Sequence, residues 1–383
     1  MCSGAAIRVI GPVIHATGRP AICVSVRLPN FPRDGGFVMR AFQAIQIAFT
    51  FIGTIVGAGF ATGQEVLQFF TRFGIWGTAG ILLSSVLFVW IGARMMLASA
   101  RIRAQSYESL NQALFGRRWG TWASRFMLVV LIGVNAVMLA GAGSIFKEHF
   151  GISYQTGLLV TIFLVFILLK RGMNAVLAVN SIVVPAMLLF TLIILWDTAH
   201  GPGADRWLTM RTDAPQLAAW ASPLLYAAFN LSMAQAVLVP LGSRIKDRKT
   251  IIAGAWLGGV GIGAMLLVGH IALSARMPGI AQFDIPMGGI ARELGSLLQW
   301  AYTFLIFAEI FTTLLCDIYG LTLQLSARLG WPEQAITAGL LAVCWAGSQI
   351  GFGPLLSTLY PLFGALSLGW LYQMMRRPGL SGM

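Results

Sequence analysis

The sequence predicts an all-α, polytopic membrane protein: ten transmembrane helices arranged as two sets of five in inverted orientation. Three observations lead there. Of the 383 residues, 57% are hydrophobic and only 10% are charged, a balance that water-soluble domains do not show. From Arg40 onward, ten apolar stretches recur, most of them long enough to cross roughly 30 Å of hydrocarbon. The Lys and Arg residues then fall unequally on the two sides that these stretches define.

Residues 1–38 stand apart. Arg8, Arg19, Arg27 and Arg33 punctuate a stretch containing Pro and Gly whose apolar pieces are too short to span a bilayer. The piece AAIRVIGPVIHA is interrupted by Arg8 and Pro12, which a secretory leader would not tolerate. This segment reads as a basic, disordered tail, and Met39, directly before the first span, is an alternative start. Residues 39–377 then form the transmembrane domain.

The spans have cores at 41–70, 76–98, 122–146, 154–169 and 173–196 in the first repeat (about 40–196). In the second repeat (about 216–375) the cores lie at 216–241, 251–275, 296–323, 334–350 and 355–375. On this assignment, 20 of the 26 basic residues share the side of the N-terminus, in groups such as Arg94, Arg101 and Arg103, Arg117, Arg118 and Arg125, and Arg244 to Lys249. The opposite side holds 6, namely Arg72, Lys147, Arg206, Arg211, Arg276 and Arg292. The positive-inside rule therefore places both termini in the cytoplasm of a multi-pass cell-membrane protein, and the net charge of +13 needs no nucleic acid to explain it. The halves correspond in their loops as well: SYESLNQALFG (106–116) follows the second span of one and FDIPMGGIARELG (283–295) the second span of the other.

Each half also opens on a polar interruption. In the first span, IVGAGFATGQE (55–65) places Gly57, Gly59 and Gly63 beside Thr62, Gln64 and Glu65. A break at membrane depth frees backbone groups that only protein, water or a ligand can satisfy. The expected second half-helix starts near Gln64, leaving the amides around Ala58, Gly59, Phe60, Ala61 and Thr62 free to hold a carboxylate. In the sixth span, YAAFNLSMAQAVLVPLG (226–242) carries Phe229, Asn230 and Ser232 where unwinding is expected. Carbonyls freed there would hold an ammonium group or a sodium ion. Close helix packing is the plainer explanation for any one glycine, but three glycines with a polar cluster, paired with a second interruption, favour a binding site.

In the eighth span, Glu309, Thr312, Thr313, Cys316 and Asp317 share one helical face, turned into the bundle. The two hydroxyls suit a small hard cation, with carbonyls near Ile55 and Ala58 completing its shell; alternatively, they bond back to their own helix. Glu65 and Glu309 are carboxylates in apolar surroundings, each a coupling group or a brace. Asn135, Asn180 and Ser181 are further pocket candidates, or interhelical hydrogen bonds. Cys2, Cys23, Cys316 and Cys344 form no metal or disulfide pattern, and the four His residues form no catalytic constellation. The chain therefore reads as a non-enzyme, with a bound sodium ion as the one candidate cofactor.

The stretches VGAGFATGQEVLQFF, AFNLSMAQAVLVPLG, AEIFTTLLCDIYGL and STLYPLFG together resemble the YkvI-type family of bacterial membrane proteins, over about residues 40–375. That family is similar to the amino acid, polyamine and organocation transporter superfamily, which has the leucine-transporter fold. The resemblance implies discontinuous first and sixth helices, a solute site between them, and a sodium site between the first and eighth. Thr312 and Thr313 match the hydroxyl pair of that ion site, and Gly57 and Gly59 match the glycines of the first break. Proton-coupled relatives can carry a lysine inside the fifth helix; this chain has none there, which favours sodium. Glu309 departs from the pattern. The expected function is cation-coupled transport of a small amino-acid-like or zwitterionic solute. The alternative is a permease-like sensor or receptor subunit that binds a solute without moving it. The expected partners are the solute, the cation and the lipid bilayer.

Overall fold

The computed structural model describes residues 37–104, 106–169 and 174–376, without the side chains of 37–39, 174–182, 184, 327 and 328. The tail expected over 1–38 thus lies outside the described residues, except for its last two, which already belong to the first helix.

The first span is three pieces: α1 (Phe37–Ile55), α2 (Ala58–Thr62) and α3 (Gln64–Phe69). Then come α4 (Ile75–Ile102), α5 (Tyr107–Glu148), α6 (Tyr154–Leu169), α7 (Asn174–His200), the short α8 (Arg206–Thr209), α9 (Gln216–Arg244), α10 (Arg248–Ala275), α11 (Pro286–Glu293), α12 (Ser296–Leu329), α13 (Glu333–Ser348) and α14 (Phe352–Arg376). Two 3-10 turns, Thr71–Phe73 and Gly279–Gln282, complete the architecture, and there is no strand among the described residues. Gly116, at φ 80° and ψ 169°, kinks α5, so that 107–115 forms a separate short helix before the third span proper. α11 is its counterpart in the second half. Both segments fall where the correspondence between the loops expects them.

Among the described residues, α4, α5, α9, α10, α12 and α14 are long and apolar enough to cross a membrane, and α6 and the end of α7 are apolar but shorter. Large apolar side chains remain exposed on the outer faces of these helices, among them Leu82, Val86, Phe163, Leu192, Trp256 and Leu366. Apolar surface of that extent is what lipid covers.

The helices pack in two groups. α1 and α4 pack with α9 and α10, while α5 and α6 pack with α12 and α13; α7 and α14 lie against both groups. The first two spans of each half thus share one group and the next two share the other. Small residues make the first group tight. Gly254 and Gly258 of α10 lie against Ile47 and Phe51 of α1, and Gly263 lies against Ser85 of α4, with no room for a Cβ. In a membrane, such close backbone approach replaces the hydrophobic drive that water would supply.

Candidate functional site

The site is built around the interruption of the first span. Helical bonding in α1 ends with the Val56 amide on the Ile52 carbonyl; the Gly57 amide reaches only back to Ile55. Gly57 turns extended at φ −100° and ψ −165°, and α2 begins at once. Its first amide bonded along the helix is that of Ala61, to the Gly57 carbonyl at 2.9 Å. The amides of Ala58, Gly59 and Phe60 therefore lack a helical acceptor. Gly63 then adopts φ +83°, a left-handed conformation that costs an L side chain about 1–2 kcal/mol, and α3 starts at Gln64. The break is where the glycines placed it, and a helix starts at Gln64 as expected, but a five-residue helix, α2, already forms between them at Ala58–Thr62. The set of free amides shrinks accordingly to three.

Other members of this run are already engaged. The Thr62 hydroxyl donates to the Gly59 carbonyl at 2.9 Å and accepts from the Gln64 amide at 3.4 Å. The Ala61 carbonyl accepts from the Tyr302 hydroxyl of α12 at 2.9 Å. Glu65 turns back along the chain, and its Oε1 occupies the space where a side chain at position 59 would start. Gly59 is thus required by close approach. The carboxyl is buried, and Oε2 has no hydrogen-bond partner among the described residues. Facing it is the hydroxyl of Tyr226 from α9, also buried and also without a bond of ordinary geometry. The rings of Phe69, Phe70 and Phe88 pack round Tyr226 at centroid distances of 5.2, 5.0 and 6.0 Å and fix its direction.

The sixth span departs from expectation. α9 runs unbroken through Phe229, Asn230 and Ser232. The physical reason is visible in the side chains. Asn230 Nδ2 donates to the Tyr226 carbonyl at 3.1 Å, and the Ser232 hydroxyl bonds to the Phe229 carbonyl at 2.8 Å. Polar groups that bond back within one turn are satisfied without unwinding the helix, and no glycine precedes Gly242 in α9 to make unwinding easy. Ser232 also meets Ser367 of α14 at 3.0 Å, and the Phe229 ring lies 4.5 Å from that of Tyr360. These residues join α9 to α14.

On α12, the Thr312 hydroxyl bonds back to the Glu309 carbonyl at 3.3 Å, while the Thr313 hydroxyl and the Glu309 carboxyl make no hydrogen bond among the described residues. Further along the same face, Asp317 accepts from Asn135 Nδ2 of α5 at 3.4 Å. Asn135 thereby serves an interhelical bond rather than the break. The side chains of Asn180 and Ser181 lie outside the described residues. His270 is clasped by Thr71 at 3.1 Å and Thr78 at 3.2 Å, a structural role.

The other face of α3 lines a cavity of about 300 Å³, with Gln64, Gln68, Arg72, Met277, Gly353 and Ser357 on its walls. Beyond it, α11 is pinned in place. Glu148 accepts the amides of Asp284 and Ile285, Ser144 donates to Asp284, and Arg276 joins Asp197 to Glu293. Burial and the neighbouring Arg292 push the His149 imidazole down to about 4, so it sits neutral in this layer. Tyr226, Tyr302 and Tyr360 also face the broken first span, and the sequence does not mark them. An aromatic residue in an apolar span carries no signal of its own, and only the fold directs their hydroxyls.

Two interleaved helix groups, with a first helix broken at a glycine run, define an all-helical, multi-pass membrane protein. The fold matches that of MHP1, a nucleobase-cation-symport-1 family transporter in a closed conformation with bromovinylhydantoin bound, at a TM-score of 0.61 and 13% identity, over 88% of this chain and 78% of that one. No family model matches the sequence. The chain is, however, 40% identical over 333 residues to the uncharacterized membrane protein YkvI of Bacillus subtilis (strain 168), covering 86% of this chain and 94% of the relative. The chain belongs to the YkvI family. It is also 26% identical over 255 residues to the sodium/pantothenate symporter of Escherichia coli (strain K12), over 61% of this chain and 52% of that protein.

Proposed function

We propose that this chain is a secondary transporter that couples a cation, sodium rather than a proton, to movement of a small amino-acid-like or zwitterionic solute. Ten membrane helices in two inverted sets of five would carry it, with both termini cytoplasmic, and the group containing α1 would rock against the group containing α12. The observation that carries the reading is the break at Val56 and Gly57, where buried amides stand without backbone acceptors beside a helix bearing Glu309, Thr312 and Thr313. Cation coupling draws support from the similarity to a sodium symporter and to a cation symporter's fold. Solute and ion that share the backbone of one broken helix each favour the arrangement the other needs, which is the origin of coupling.

Uptake into proteoliposomes tests this. A sodium gradient should drive accumulation of an amino acid or related zwitterion, and a proton gradient alone should not. Thr313→Ala should weaken sodium dependence more than Thr312→Ala, because Thr312 is already bonded within its helix. Accumulation indifferent to every cation gradient, or sodium dependence unaltered in both variants, would refute the ion site.

A further inference from the structure

We propose that Glu65 and Tyr226 together form the recognition pair for the ammonium group of the solute, making this a carrier of primary-amine compounds. The inference rests on the transport reading above and specifies its substrate class.

The continuity of α9 removes the carbonyls that an unwound sixth helix would have offered to a cation. A positively charged group entering the break must find its acceptors elsewhere. Glu65 Oε2 and the Tyr226 hydroxyl are buried and face one another, and neither has a hydrogen-bond partner beyond this contact among the described residues. A carboxylate and a phenol left in this state inside a protein are costly, and a partner that brings several N–H donors relieves both at once. An ammonium has three such donors and the complementary charge. The surrounding chain holds the pair in place. The missing side chain at Gly59 lets the carboxyl lie against the start of α2, three phenylalanine rings pack on the ring of Tyr226, and Tyr360 of α14 lies near enough to interact with the carboxyl. A zwitterion with its ammonium on Glu65 would place its carboxylate a few ångströms away, toward the free amides at Ala58 to Phe60.

The test is thermal stabilisation of the purified full chain in sodium buffer by the protein amino acids, each beside its des-amino carboxylic acid, since a solute bound by the folded state alone raises the melting temperature. At least one amino acid should stabilise the wild type, with its des-amino acid at least tenfold weaker. Glu65→Gln should erase that tenfold preference while leaving binding of the des-amino acid unaltered. Tyr226→Phe should lose about threefold, and it supplies the same comparison if Glu65→Gln does not fold. Equal binding of an amino acid and its des-amino acid would overturn the assignment, as would an unaltered preference in both variants. Stabilisation by sodium alone that disappears in Glu65→Gln would make Glu65 an ion ligand and overturn it too. Sodium-driven uptake of solutes that lack an amine would remove this proposal while leaving the transport reading in place.

Discussion

The break in the first span and the unbroken α9 answer one question with different residues. Both are apolar segments carrying a polar cluster at the same position in their half of the chain. In the first, Gly57 and Gly63 supply the extended and left-handed turns, and Gly59 lets the Glu65 carboxyl approach the backbone. In α9, Asn230 and Ser232 spend their hydrogen bonds on carbonyls three or four residues back, and the helix stays whole. Polarity in a membrane span is therefore not sufficient to break it. Glycine at the turning positions, with a carboxylate that needs the space, is what separates the two.

Single substitutions probe this contrast. The largest effect is expected from Gly59→Ala, where the new Cβ would overlap the Glu65 carboxyl. Alanine favours helix, so the protein should still fold, while solute binding falls tenfold or more, about 1.4 kcal/mol or above, as read by thermal stabilisation. Unaltered binding would mean that the position of Glu65 does not matter. A smaller effect is expected from Asn230→Ala: uptake should stay within about twofold of wild type, because its side chain bonds only to its own helix. A tenfold loss there would show that α9 unwinds during transport after all.

Much of the fold is legible in the chain's hydropathy and turn residues, because these are local signals. The fourth span, 154–169, coincides with α6, and the amphipathic loops at 106–116 and 283–295 fall where short helices form. The first break is legible for the same reason, since three glycines within eleven residues leave little else to infer. The short α2 between the break and Gln64 is not: whether residues 58–62 turn helical depends on which amides find carbonyls, as that of Ala61 finds Gly57. The sixth span misleads because Asn and Ser advertise hydrogen bonds without revealing their partners. Tyr226 is invisible in the sequence, since nothing within α9 shows that its hydroxyl meets a carboxylate 161 positions earlier.

Hydrogen exchange reads out whether one half of the chain opens its backbone to a ligand while the other does not. In the purified protein, the amides of 58–60 should exchange fast once the outer side opens and become protected when sodium and a stabilising amino acid are added, while those of 227–232 stay protected throughout. Equal exchange in the two segments, or protection of 58–60 that no ligand alters, would contradict the account.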